Sequence, residues 1–209
     1  MKKPTKTARE YLPERFTLPA LRKAAAVCKG CHLYKEATQT VFGEGKTKAK
    51  ILVVGEIPGE KEDEAGKPFV GPAGKLLRET VAAAGIDWED IYLTNVVKHF
   101  KFAYINQRKM HRSPNGAEVR ACMPWLEAEM EVIQPQVILC LGSTAAKSLI
   151  NKNFKIREQH GKWFHLNERN VLATFHPSAI LRTIDHTSRH QMKNWFLKDL
   201  KKIAGLLQR

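Results

Sequence analysis

Short apolar runs separated by amphipathic stretches set the rhythm of the chain. Ile51-Leu52-Val53-Val54, Ile91 to Val97 (IYLTNVV) and Val137 to Leu141 (VILCL) are near-continuous hydrophobic segments, the pattern of strands buried on both faces. Lys162 to Leu166 and Val171 to Phe175 predict two further strands joined by the turn Asn167-Glu168-Arg169-Asn170. Helical periodicity fills the intervals. Leu18 to Val27 predicts a short helix with Pro19 in its first turn, and Gly71 onward a helix that stops at Gly85. Ala117 to Ile133 carries apolar positions at Val119, Met123, Leu126, Met130 and Ile133, with Pro124 expected to kink or restart it. Ser143 to Ile150 and about Arg189 to Leu207 complete the set. Strands alternating with helices predict a three-layer α/β/α fold around a central, mainly parallel sheet of about four strands. No repeat or interdomain linker interrupts the pattern. The expectation is one domain over residues 1–209, with residues 1–17 as an N-terminal arm.

Two stretches break the periodicity. Gly55 to Gly74 is dense in Gly, Pro and carboxylates and leaves the carboxyl end of the first strand, where open α/β sheets bind ligands. It lacks the glycine spacing of dinucleotide-binding or P-loop motifs. Lys98 to Gly116 (KHFKFAYINQRKMHRSPNG) is basic and mixed with aromatics, and predicts a long functional loop.

Charge narrows the class. Lys and Arg number 35 against 21 Asp and Glu, a net charge of +14 with pI ≈ 9.7, the footprint of a nucleic-acid partner. No apolar run is long enough for a bilayer, and the N-terminal residues lack the apolar core of a secretory signal. A cytoplasmic protein acting on DNA, without a membrane partner, is expected. Four cysteines, two of them in Cys28-Lys29-Gly30-Cys31, suit a metal or cluster site in a reducing compartment. Four thiolates fit an iron–sulfur centre, but Cys140 sits inside an apolar strand, where cysteine behaves as a small hydrophobe. His99 is then the competing fourth ligand, and a structural Cys3His zinc site is also chemically allowed.

Three motifs in order resemble those of a known family. Gly55-Glu56-Ile57-Pro58-Gly59-Glu60 with Gly66-Lys67-Pro68-Phe69-Val70-Gly71, then Thr94-Asn95-Val96-Val97-Lys98, then His176-Pro177-Ser178 look like the motifs of iron–sulfur (family 4) uracil-DNA glycosylases. The X-type branch (UdgX) of that superfamily, which stays covalently attached to the DNA it processes, resembles this chain further. It carries a histidine where family 4 has a cysteine ligand, here His99, and a basic loop ending in a nucleophilic histidine, here Gln107-Arg108-Lys109-Met110-His111. Ile57 departs from the glutamine of that branch.

The resemblance implies a [4Fe-4S] cluster held by Cys28, Cys31, His99 and Cys122, with zinc as the alternative. It implies uracil-containing DNA as partner, single strands included, and a monomer. His111, Glu56 and His176 are the expected catalytic residues: nucleophile, its carboxylate partner and the donor to the uracil oxygen. Ile57, Phe69, Asn95 and Glu62 are expected around the uracil, with Glu62 crowding its C5 position. Arg108, Lys109, Arg112, Ser178, Leu181 and Arg182 are expected on the DNA. A multi-turnover glycosylase of the family 4 kind and a non-catalytic iron–sulfur DNA-binding protein are the alternatives.

Overall fold

The structure, a computed structural model, describes residues 6–208. Helix α1 (Leu18–Ala25) is capped by Thr17, whose side chain accepts from the Ala20 N–H, and leads into the Cys28 turn. A two-residue strand β1 (Glu44–Gly45) precedes β2 (Ile51–Gly55), then come a short helix α2 (Glu60–Ala65), α3 (Pro72–Ala83) and β3 (Ile91–Asn95). A hairpin of β4 (Phe102–Ile105) and β5 (Arg108–His111) follows, then α4 (Gly116–Ile133), β6 (Val137–Leu141), α5 (Ser143–Leu149) and α6 (Ile156–Gln159). The chain closes with β7 (Trp163–Leu166), β8 (Arg169–Thr174), α7 (Pro177–Arg182) and α8 (His186–Leu207).

The six-stranded sheet has the order β1-β3-β2-β6-β8-β7. Its four central strands are parallel, as the buried runs predicted, and the additions are antiparallel edges. Alternation along each strand divides the core. Leu52, Val54, Ile138, Cys140, Val171 and Ala173 face α1, α4 and α5. Ile51, Val53, Leu93, Leu139, Leu141 and Leu172 face α3 and α8. Each fully buried Leu, Ile or Val contributes about 1.5–3 kcal/mol, and both faces of the sheet are covered. Because the central strands are parallel, Gly55, Asn95, Leu141 and Thr174 finish at one edge, and the loops after them converge there.

Several expectations change. Lys98 to Gly116 is not an open loop: residues 102–111 pair as an antiparallel hairpin, Phe102 opposite His111 and Ile105 opposite Arg108. Its two-residue turn puts Asn106 (φ 48°) and Gln107 (φ 62°) in the left-handed region, the type I′ geometry that matches strand twist. Helix α4 runs unbroken through Pro124, which is buried, so the proline does not restart it. Of the stretch expected as an arm, residues 1–5 lie outside the described residues. Ala8–Tyr11 forms a capped 3-10 turn with Ala8 buried. Gly30 lies against its backbone: a Cβ there would sit 2.6 Å from the Ala8 nitrogen.

One polar cluster lies wholly inside. The Lys98 ammonium is 2.6 Å from Glu129 of α4, with both side chains at 1% exposure or less. It also donates to the Thr94 hydroxyl at 2.6 Å and the Asn95 carbonyl at 2.7 Å. Glu129 accepts further from Tyr92, Thr94 and the Gly43 N–H. Removing one member strands the other charge, which costs about 3–5 kcal/mol. Glu129→Ala should therefore lose that much in urea unfolding, and the double variant Lys98→Met, Glu129→Leu should recover part of it. Equal losses in the single and double variants would show that the pair is not coupled.

Candidate active site

A cavity of about 200 Å³ opens at the carboxyl edge of the sheet, walled by Ile57, Phe69, Asn95, His111, His176 and Arg182. Four separate connections build it: the turn after β2, the end of β3, the hairpin and the turn after β8. The Phe69 and His176 rings face each other nearly parallel, with centroids 6.2 Å apart at 24°. Asn95 is buried, and its carbonyl is held by Lys98 while its side-chain amide has no protein partner among the described residues. Phe69 holds a left-handed backbone (φ 56°), unusual for an aromatic residue. The fold tolerates this because Gly74 and Gly55 give way. A Cβ on Gly74 would overlap the Phe69 carbonyl, and one on Gly55 would strike the Asn95 side-chain oxygen and lie 2.7 Å from the Phe69 ring tip.

Glu62 lines the cavity, as expected, and its carboxylate also binds backbone. One carboxylate oxygen accepts from the Gly71 N–H at 2.7 Å and the other from the Gly59 N–H at 3.1 Å. Its charge is spent joining the two halves of the loop, each such charged hydrogen bond contributing about 1.5–3 kcal/mol. Ile57 is 6% exposed and packs into the core beneath the cavity, where its side chain offers no polar group.

The two histidines differ through their neighbours. The Ser178 N–H and hydroxyl both lie on His176 Nδ1, at 3.1 and 2.8 Å. Nδ1 accepts the amide proton, so the ring proton is on Nε2. Burial, then the charges of Arg182 and His111, bring the His176 pKa down to about 4. His111 ends β5 at the mouth, with its ring 6.1 Å from that of Phe100. Partial desolvation lowers its pKa, and Glu56 pulls in the opposite direction. Glu56 and His111 form no ion pair within 4.0 Å. Instead Thr144 on α5 donates its hydroxyl to Glu56 at 2.8 Å. Nothing in the sequence signals Thr144, which is 88 residues from its partner.

The remaining expected residues lie around the mouth. Arg108 and Arg112 are exposed on the hairpin, while Lys109 folds its ammonium over the Phe102 ring, 4.7 Å from the centroid. Leu181 is 40% exposed at the end of α7, and the neighbouring Ile184, an unforeseen second apolar tip, is 92% exposed. Ser178 faces His176 as well as the cavity.

Away from the cavity, Cys28 and Cys122 are buried, with Cys31 half-buried. Cys28 accepts from the Gly30 N–H and the Trp125 indole, both at 3.4 Å, and Cys122 from the Lys98 N–H at 3.3 Å. Burial pushes the Cys122 thiol up to about 12, against the lowering effect of the Lys98 charge and N–H and with smaller help from Cys31 and Cys28. His99 follows Lys98, whose N–H reaches Cys122, and turns its own Nε2 to the Thr40 hydroxyl at 2.9 Å. That hydroxyl donates to the Ala25 carbonyl, so Nε2 carries the proton and Nδ1 keeps a lone pair. Burial lowers the His99 pKa to about 4, which keeps the ring neutral. Among the described residues, no three of these side chains are closed around a metal-sized point. Cys140 lies apart, fully buried in β6.

Comparison with known proteins agrees with this architecture. A type-4 uracil-DNA glycosylase of Archaeoglobus fulgidus is 38% identical over 86% of this chain and 87% of its own length. One of Thermotoga maritima is 37% identical over 87% and 90%, and one of Pyrobaculum aerophilum 35% identical over 90% and 93%. Residues 42–201, which run from β1 into α8 and hold every wall of the cavity, match the uracil DNA glycosylase superfamily, and the chain belongs to that family.

Proposed function

We propose that this protein excises uracil from DNA and that His111 then captures the exposed sugar, leaving protein and DNA joined. The observation that carries the reading is the histidine pair on one cavity: burial lowers the pKa of both, one with its Nδ1 occupied and one at the mouth with no side-chain hydrogen-bond partner among the described residues. The flipped base would lie against Phe69, with its amide edge on Asn95 and the backbone at Ile57. As the bond from N1 to C1′ breaks, its electron pair leaves on uracil. The Nε2–H of His176 meets the oxygen where that charge grows. A His111 ring nitrogen donates its lone pair to C1′ of the oxocarbenium-like sugar, and the resulting imidazolium is stabilised by the Glu56 carboxylate. Thr144 keeps Glu56 in place.

Cys28, Cys31, Cys122 and His99 would hold a [4Fe-4S] cluster. The N–H donors already aimed at two of the sulfurs, and the free Nδ1 of His99, suit thiolate and imidazole ligation. The cluster would tie the Cys28 turn to the start of the hairpin that ends in His111, a structural task.

Incubation with uracil-containing single-stranded DNA should give one equivalent of uracil and a denaturant-resistant protein–DNA band. His111→Ala should lose the band and continue releasing uracil beyond one equivalent. Repeated turnover by the wild type with no band would select an ordinary glycosylase instead. As purified, the protein should be brown; Cys122→Ser should lose most of its iron, and Cys140→Ser should keep it. Stoichiometric zinc in a colourless preparation would reject the cluster.

Acid should act through His176. Its native pKa of about 4 lies below the ordinary 6.5, so between those values the unfolded chain binds a proton that the pocket excludes. Stability should fall as pH drops from about 6.5 to about 4, and urea midpoints of His176→Asn should fall less steeply. Parallel curves for the two proteins would contradict the assignment.

A further inference from the structure

We infer that a basic groove between the start of α4 and α5, lined by Arg120, Lys147 and Lys152, carries the phosphodiester backbone of the DNA strand on one side of the base cavity. The inference rests on the DNA-glycosylase reading and extends it to a surface that no catalytic motif includes. Two cavities meet at Thr144. One, of about 250 Å³, runs from His176, Ser178 and Arg182 to Glu56 and Thr144. The other, of about 500 Å³, continues from Thr144 past Ser148 to the three cations. Shared walls therefore place this groove next in line from the base cavity: His176, Ser178 and Arg182 line the first two cavities, and Thr144 the second and third.

Its charge is uncompensated. No carboxylate lines it, and among the described residues none of the three cations has an Asp or Glu within 4.0 Å. The larger cavity beyond Phe69, about 580 Å³, is a useful contrast. It holds four cations, of which Lys46 is paired with Glu89 at 2.8 Å and Lys67 with Glu44 at 3.4 Å, while Arg78 lies over the Trp88 ring and Lys75 has no carboxylate within 4.0 Å among the described residues. A polyanion gains little from charges already neutralised. The groove also lacks aromatic rings among the described residues; its apolar lining is Pro114, Val119 and Met123, so no ring there stacks a base. Cations without a stacking platform grip phosphate and read no sequence.

The test compares the wild type with the triple variant Arg120→Gln, Lys147→Gln, Lys152→Gln. A control triple, Lys193→Gln, Lys198→Gln, Lys201→Gln, removes the same charge from the exposed face of α8. All six positions are exposed, so melting temperatures should stay near that of the wild type. For a uracil-free 20-nucleotide single strand, the groove variant should reduce the slope of log affinity against log salt by about 2, three phosphate contacts at about 0.7 each. The control should leave the slope near the wild-type value. With octanucleotides bearing deoxyuridine at either the 5′ or the 3′ end, the groove variant should weaken one at least tenfold and the other less than twofold. Equal weakening of both, an unchanged slope, or the same slope loss in the control would overturn the groove as a strand track. Absence of uracil release by the wild type would overturn the glycosylase reading instead, and the slope on uracil-free DNA would still decide the groove.

Discussion

A charged pair sealed in the core governs this molecule. Lys98 and Glu129 have no water to fall back on, so each must remain within reach of the other. That requirement fixes the end of β3 against α4. Lys98 also sits between two working parts: its ammonium holds the Asn95 carbonyl, and its own N–H points at the Cys122 sulfur. The wall of the base cavity and the cysteine group are thus set by one residue, and the hairpin starts four residues later. A hydrophobic pair would fill the same volume, but it could not hold a carbonyl on one side of the strand end while its partner carboxylate gathered Tyr92, Thr94 and Gly43.

Close approach supplies the second constraint. Asn95 and Phe69 can meet over Gly55 only because that residue has no side chain, and the left-handed turn at Phe69 persists only because Gly74 leaves room for its carbonyl. Glu62 then clamps the loop from within by accepting from Gly59 and Gly71. Strain at an aromatic residue is stored where it shapes a cavity, and ordinary packing and hydrogen bonds around it hold it there.

The buried strands were legible because burial on both faces demands unbroken apolar runs, and the loops at their carboxyl ends were legible from the motifs. The hairpin was not. Its first strand is short, apolar and only half covered, its second is basic and largely exposed, so no alternation marks them, and its turn uses Asn106-Gln107 without glycine. Helix α2 was hidden for a similar reason: Glu-Lys-Glu-Asp-Glu-Ala buries only Asp63. The Thr144–Glu56 bond joins distant loops, and only the sheet order brings them together. Glu62 was legible as a cavity residue, but its bonds to the Gly59 and Gly71 N–H groups were not, because spacing does not encode them.

In the proposed chemistry, neighbours assign different work to two imidazoles on one cavity. At His176 the Ser178 N–H takes up Nδ1, so the ring is committed to donating from Nε2. Burial and the Arg182 charge keep a second proton away, which preserves a donor that carries no charge of its own. At His111 no serine occupies either nitrogen, and the Glu56 field favours a positive ring while desolvation opposes it. Such a ring can begin neutral and accept positive charge, the change that attack on a sugar cation imposes. Exchanging the environments would exchange the roles: a histidine with an occupied Nδ1 lacks a lone pair to give, and one beside a carboxylate is a poorer guardian of neutrality. The proposed chemistry therefore depends on Ser178 and Glu56 as much as on the two rings they address.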